Sequence, residues 1–417
     1  MLLQVVAMMG RVLVETFKSP LFVSIYLGLF LLITWQYRRL YKMSEGLFAL
    51  KNNGYLRSVL VSALLGLLGC IVGSLLLVFL GIDLSNIAIG ELWLAAIILM
   101  FIHPRFLCFA YAAGVLAICN LLTGYPQLSI PQLMGLVAVL HMVESLLILL
   151  NGHLSPVPIY VQSNNRVVGG FNLQKFWPIP LVAIVSVHAA YGSGGINMPD
   201  WWPLLKEYSH FSVSQIYSFH PDSLLPVLAV LGYGEITTTR SPAGRTRKSA
   251  WRLFVFSLLL LILTITAARF NSLIWVIALF SPVGHEFVIW LGMREENNRQ
   301  PIYIKPPAGV MILDVLPGTA AAKCNLYSRD IIICINGEQV YDYNNLKELL
   351  NYGRGVARLE VIRNGRTLHT TLHYRNNDNP GIIPVPEADA DKYLVVNQDS
   401  IFTIARKLWR RIMSRVR

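Results

Sequence analysis

The sequence predicts an α-helical polytopic membrane bundle of eight or nine spans, followed by a small α+β domain outside the bilayer. Two observations carry this reading. Hydrophobic residues make up 54% of the 417 residues and charged residues 14%, with a mean hydropathy of +0.52, whereas soluble domains carry about 25% charged residues. Apolar runs of roughly bilayer-spanning length recur up to Leu291, and from about Pro301 the pattern changes to short β-rich runs. This composition excludes a soluble globular protein, a disordered chain and a disulfide scaffold. The five cysteines, Cys70, Cys108, Cys119, Cys324 and Cys334, show no C-x-x-C pair and no Cys/His spacing for zinc. The first three are read as packing residues. No cofactor or metal is expected.

The candidate spans of region 1–292 are 20–36, 58–82, 87–102, 106–125, 131–150, 176–191, 219–234, 253–268 and 270–291. The pair 87–102 and 106–125 turns tightly around His103-Pro104-Arg105. Segment 176–191 is short and interrupted by Pro178 and Pro180, and 219–234 is the weakest. Helices are expected because backbone polar groups must be satisfied within lipid. Orientation follows from Lys and Arg in the loops. Arg38, Arg39, Lys42, Lys51 and Arg57 mark one loop, Arg166 and Lys175 a second, Arg240 to Arg252 a third, and Arg294, Arg299 and Lys305 a fourth. Even numbers of spans separate them, so all four face the cytoplasm. That parity needs 219–234 to cross. Region 1–20 lacks a basic start and reads as an interfacial or extra helix, not a cleaved signal.

The domain at 300–376 reads in order as a strand at Gly309-Val310-Met311-Ile312, a turn at Pro317-Gly318 and a short helix after Thr319. A buried strand at Asp330-Ile331-Ile332 closes with Asn336-Gly337. Leu346, Leu349 and Leu350 lie at helical spacing, and a hairpin turns at Asn364-Gly365. This order resembles a bacterial PDZ domain. Asn325 and Arg329 stand where that pattern usually has glycine. The resemblance implies an open sheet edge beside a helix, where a peptide adds as a strand with its carboxylate held by backbone N–H groups. The implied peptide-binding residues are Pro307, Ala308, Gly309, Val310, Met311, Ile312, Asn345 and Leu349, with Gly309 letting the carboxylate approach closely. Leu346, Leu349 and Leu350 are read mainly as core.

Segment 377–400 reads as an acidic, proline-containing linker. Segment 401–417 reads as a basic amphipathic helix for an anionic membrane surface, through Arg406, Lys407, Trp409, Arg410 and Arg411. Nucleic acid is not an expected partner. His141, Glu144, His188, His285 and Glu286 are intramembrane polar candidates. They leave a proton-coupled or small-solute transporter with a regulatory PDZ domain as the alternative. A degenerate site-2-protease-like protein is weaker, because Ile289 stands where H-E-x-x-H needs its second histidine. Val230-Leu231-Gly232-Tyr233-Gly234 looks like a potassium-channel filter, but basic residues come directly after it on the inner side.

A polytopic N-terminal part followed by one PDZ domain resembles the MinJ-like membrane proteins, with Ser19-Pro20-Leu21-Phe22, Arg38-Arg39, Gly232-Tyr233-Gly234 and His285-Glu286 fitting that picture. The resemblance implies a non-enzymatic scaffold in septum-site determination at the bacterial cell membrane. It would link a DivIVA-type coiled-coil protein to a MinD-type ATPase. The topology is testable. A reporter joined after Arg375 is expected to read cytoplasm, and one inserted near Gly195 the outer face. An outer reading for the first removes the assignment of cytoplasmic partners.

Overall fold

The computed structural model describes residues 2–50, 54–163, 166–185, 196–199, 201–205, 218–219, 224–352, 355–375, 380–387 and 392–395. The helical part comprises α1 (Leu2–Thr16), α2 (Pro20–Phe48), α3 (Tyr55–Leu80), α4 (Ile89–Ile102), α5 (Phe109–Thr123), α6 (Ile130–Asn151), α7 (Pro242–Ala267) and α8 (Ile274–Asn297). Among the described residues, five helices are long and apolar enough to cross a membrane: α2, α3, α6, α7, and α8 with its lead-in turn. α4 and α5 are shorter, at 14 and 15 residues, and are joined by the turn Pro104–Leu107. α1 packs Val5, Met8 and Met9 against Val182, Ile184 and Leu224.

Two of the expected helical spans are strands. β1 (Val157–Ser163) and β2 (Arg166–Asn172) form a hairpin extended by β7 (Ile236–Thr237). Between them in sequence lie β3 (Lys175–Ile184), the short pair β4 (Ile196–Asn197) and β5 (Ser218–Phe219), and β6 (Leu224–Tyr233). β3 and β6 pair antiparallel over ten residues each, from Lys175 opposite Tyr233 to Ile184 opposite Leu224. Residues 176–184 and 224–233 are therefore strands and not membrane helices, and the described residues hold five helices of spanning length rather than eight or nine. A ten-residue strand rises about 33 Å, comparable with the hydrocarbon thickness. β3 and β6 are antiparallel, so the chain enters and leaves this pair at the same end.

β3 lies along α3, and the contact explains its prolines. Antiparallel strands alternate residues whose polar groups face the partner strand with residues whose groups face away. Phe176 N–H donates to the Tyr37 hydroxyl at 3.2 Å, and Val182 N–H to Ser74 Oγ at 2.8 Å. Even-numbered residues of β3 thus face away from β6. Pro178 and Pro180 belong to that set and have no N–H to satisfy. Pro226 in β6, opposite Val182, shares the same non-bonded phase. Cys70 Sγ donates to Pro180 O at 2.6 Å, so this thiol supplies a hydrogen bond as well as packing. At Gly66 a Cβ would stand 2.2 Å from Pro178 O, and at Gly73 it would stand 2.8 Å from Leu181 Cδ2. Small residues on α3 let the strand edge lie directly on the helix.

The C-terminal domain contains β8 (Val310–Val315), α9 (Ala320–Lys323), β9 (Ile331–Ile335), β10 (Glu338–Gln339), α10 (Tyr343–Tyr352), β11 (Val356–Arg363), β12 (Arg366–His373) and β13 (Ile382–Pro384). The sheet runs β12-β11-β9-β8-β13, with β10 beside β9. Its core holds Ile312, Ala321, Ile332, Leu346 and Leu359. Leu346 and Leu350 are buried, as the helical spacing predicts. The domain docks on the β1–β2 hairpin: Gly169 N–H donates to Tyr303 O at 2.9 Å, and the Tyr160 hydroxyl to Pro384 O at 2.9 Å.

Ser74→Ala leaves the buried Val182 N–H without its acceptor. The expected loss is about 1–3 kcal/mol of unfolding stability. A denaturation midpoint measured in a fixed detergent checks it, with Ser74→Thr retaining most of the stability.

Candidate functional site

The expected groove residues divide by strand parity. Val310 and Ile312 point into the domain core at 4% and 0% exposure, so they are not groove-lining side chains. Met311 is half-buried on the opposite face, and Pro307 and Ala308 are exposed. Asn345 accepts the Tyr341 N–H through Oδ1 at 3.2 Å, and Leu349 rests half-buried on the core. Gly309 has φ +79°, and a Cβ there would meet Ile332 O at 2.4 Å. Its glycine is required by the loop's own approach to β9, so a Gly309 substitution damages the domain before it can report on a ligand.

The edge of β8 expected to be open is occupied by β13. Ile382 lies opposite Val315, Ile383 opposite Asp314 and Pro384 opposite Ile312. Leu316 N–H donates to Gly381 O, and Val385 N–H to Met311 O, both at 2.9 Å. β13 runs toward the loop before Val310, the direction an added C-terminal peptide takes toward a carboxylate-holding loop. α10 grips the same segment from the other side. The Tyr343 hydroxyl donates to Ile382 O at 3.3 Å, and Tyr343 N–H to Glu387 Oε1 at 2.8 Å. Lys305 Nζ adds a contact to Glu387 at 3.6 Å. Residues 382–384, expected within a linker, are therefore a strand of the domain's sheet, with Ile382 in its core. Leu394 also pairs with the β1 side, through Leu394 N–H to Tyr160 O at 2.8 Å.

A second polar centre lies among α5, α6 and α8. Glu286 accepts from Arg105 at 2.9 and 3.1 Å and from the Tyr111 hydroxyl at 2.6 Å. Glu286 thus meets polar partners on α5 and in the turn before it. The sequence reading did not bring His285 to His141 and Cys108. Cys108 Sγ lies 3.2 Å from His141 Nε2 and 3.6 Å from His285 Nε2, across separations of 33 and 177 residues. Glu144 sits one turn along α6 from His141, half-buried. His188, Arg406, Lys407, Trp409, Arg410 and Arg411 lie outside the described residues.

A third cluster, absent from the sequence-derived candidates, ties α7 to α8. Glu295 pairs with Arg240, with Lys248 at 2.6 Å and with Arg252 at 2.5 Å. Glu296 accepts the N–H groups of Thr238 at 2.6 Å and Thr239 at 3.0 Å. Arg299 also reaches Glu295 at 3.5 Å, so four of the basic residues used to orient the chain pair with one carboxylate. The signal for it was Glu295-Glu296 standing alone in a basic segment.

Residues 311–363 match the PDZ domain family. Over 214 residues the chain is 26% identical to the cell division topological determinant MinJ of Bacillus subtilis, covering 51% of this chain and 50% of MinJ. The chain is MinJ-like and carries a PDZ domain. Shorter matches are to HhoA of Synechocystis sp., named as a serine protease, at 26% identity over 97 residues, and to a protein of Pseudomonas putida named as a DegP-like periplasmic serine endoprotease, at 32% over 108 residues. They cover 25% and 21% of those proteins, and 22% and 24% of this chain.

Within the PDZ domain both glycine replacements adopt the conformation that glycine supplies elsewhere. Asn325 has φ +58° and Arg329 φ +74°. Arg363 closes the turn between them, with Nε to Asp330 Oδ1 at 2.7 Å, Nη2 to Asp330 Oδ2 at 2.6 Å and Nη2 to Asn325 O at 2.6 Å. At the occupied edge, burial pushes the Asp314 carboxyl up to about 7, against the opposing backbone hydrogen bond from Val315. Tyr41 and Tyr303 are its electrostatic neighbours.

A carboxyl whose folded-state affinity for protons is raised favours folding when protonated. Its contribution is fully present below its usual value near 3.8 and is lost as pH rises to about 7. Thermal midpoints across that window are expected to fall more steeply with rising pH for the natural chain than for Asp314→Asn. Parallel curves for the two proteins contradict this.

Proposed function

We propose that the protein is a membrane-held adaptor for bacterial cell division, whose PDZ groove receives the extended C-terminal tail of a cytoplasmic protein, and that residues 381–387 are the intrachain occupant such a tail displaces. The observation that carries the reading is β13 on the β8 edge, antiparallel and directed toward the loop before Val310. Main-chain pairing supplies most of the attraction in strand addition, and side-chain pockets supply selectivity. An occupant of the same chain holds the groove at high effective concentration, so an incoming tail binds with the affinity of the groove reduced by its open fraction.

The resemblance to MinJ supports a role in cell-division topology, with DivIVA-type and MinD-type proteins as the partners it implies. The even separation of the basic loops supports a multi-pass chain with its PDZ domain in the cytoplasm. The basic segment 401–417 supports a further contact with anionic lipid. Scaffolding without catalysis fits this arrangement, because strand addition works through main-chain groups and calls on no nucleophile or general base.

Val385→Pro removes the N–H that binds Met311 O and weakens the occupant's hold on the groove. Full-length protein in nanodiscs is titrated with labelled C-terminal peptides of the DivIVA-type and MinD-type proteins of the same cell. Val385→Pro is expected to bind about tenfold tighter than the natural chain. A C-terminal amide on the peptide is expected to weaken binding. Equal affinities for both proteins, unchanged by amidation, place recruitment outside the groove.

A further inference from the structure

Cys108, His141 and His285 bring their ligand atoms to one point inside the helical bundle. The three atoms all lie within 4.8 Å of one another. Cys108 is the residue before α5, His141 lies midway along α6, and His285 lies midway along α8. His141 and His285 are 3% and 9% exposed. Their rings meet edge to face at 5.1 Å between centroids, and Phe256 closes against both at 5.7 Å.

Two details distinguish this arrangement from ordinary packing. His141 Nδ1 lies 2.8 Å from Val137 O, the carbonyl one turn earlier in α6. That acceptor fixes the ring proton on Nδ1 and turns the Nε2 lone pair toward Cys108. A backbone carbonyl behind one imidazole nitrogen is the usual outer partner of a metal-binding histidine. Hydrogen bonding within the cluster is also incomplete. His285 Nδ1 is buried without a hydrogen-bond partner among the described residues.

We infer that Cys108, His141 and His285 are the protein ligands of a divalent zinc-class cation that clamps the start of α5 to α6 and α8. Zinc–sulfur bonds of about 2.3 Å and zinc–nitrogen bonds of about 2.05 Å at a tetrahedral angle separate sulfur from nitrogen by about 3.5 Å. The observed 3.2 and 3.6 Å fall on either side of that value. One thiolate and two neutral imidazoles suit zinc better than a hard cation that requires oxygen ligands. The thiolate cancels one unit of the ion's charge. Glu144, the one carboxylate of α6, lies one turn along that helix from His141. The fourth coordination position is left to water. Binding deprotonates the Cys108 thiol and releases that proton to solvent.

The test uses full-length protein in detergent, stripped with a chelator and titrated with Co2+. The natural chain is expected to show a thiolate-to-cobalt charge-transfer band and the strong visible bands of four-coordinate cobalt, saturating at one ion per chain. Zn2+ is expected to displace the cobalt and raise the thermal midpoint. Cys119→Ser, at an exposed cysteine, is expected to retain the band. Cys108→Ser is expected to lose it, and His141→Ala and His285→Ala to weaken binding at least tenfold. X-ray absorption of the natural zinc-loaded chain supplies a readout independent of variant folding. One sulfur at about 2.3 Å and two imidazole nitrogens at about 2.0–2.1 Å are expected. Absence of the charge-transfer band in the natural chain overturns the site. So does a band that survives in Cys108→Ser, or an absorption spectrum without sulfur.

Discussion

A polar backbone placed in an apolar medium must find its partners inside the protein, and the outer edge of β3 is built around that constraint. A two-stranded hairpin has two open edges, which lipid does not satisfy. β3 meets the requirement on its outer edge in two ways. Its prolines remove donors at Pro178 and Pro180, and α2 and α3 supply Tyr37, Cys70 and Ser74 to the groups that remain. The glycines of α3 are the other half of the same solution, because a strand edge reaches a helix only where side chains are small. Proline, cysteine, serine and glycine here all serve one strand edge.

The same hairpin organises the chain beyond it. β6 leads through β7 to Thr238 and Thr239, whose N–H groups are held by Glu296 at the end of α8. Arg245, almost fully buried, bridges Glu235 at 2.6 Å and Glu296 at 3.5 Å. Breaking a buried pair of this kind strands a charge, so its value lies mainly in fixing one arrangement. α8 then delivers the chain to Tyr303, and Tyr303 docks the PDZ domain on the β1–β2 hairpin. The domain is joined to the membrane part through a packed face, and its groove strand β13 forms part of that face through Ile383 and Val385. A change at β13 therefore also alters the contact with the membrane part.

The sequence by itself determined the apolar character, the positions of the long helices and the order of elements in the PDZ domain. Each depends on local pattern: run length, charge between runs, and turn residues such as Asn336-Gly337. Asn325 and Arg329 were legible as replaced glycines because the demand for positive φ is local. The tertiary structure alone decided that 176–184 and 224–233 are strands, since an apolar run fits a buried strand or a buried helix equally well. Pro178 and Pro180 were visible as helix breakers. Their meaning as edge residues required α3 beside them. It alone decided that 382–384 pair with the β8 edge, because strand pairing uses main-chain groups that every sequence possesses. And it alone joined Cys108, His141 and His285, for ligand spacing is legible only when one helix or turn carries the ligands, and here three separate helical segments converge on them.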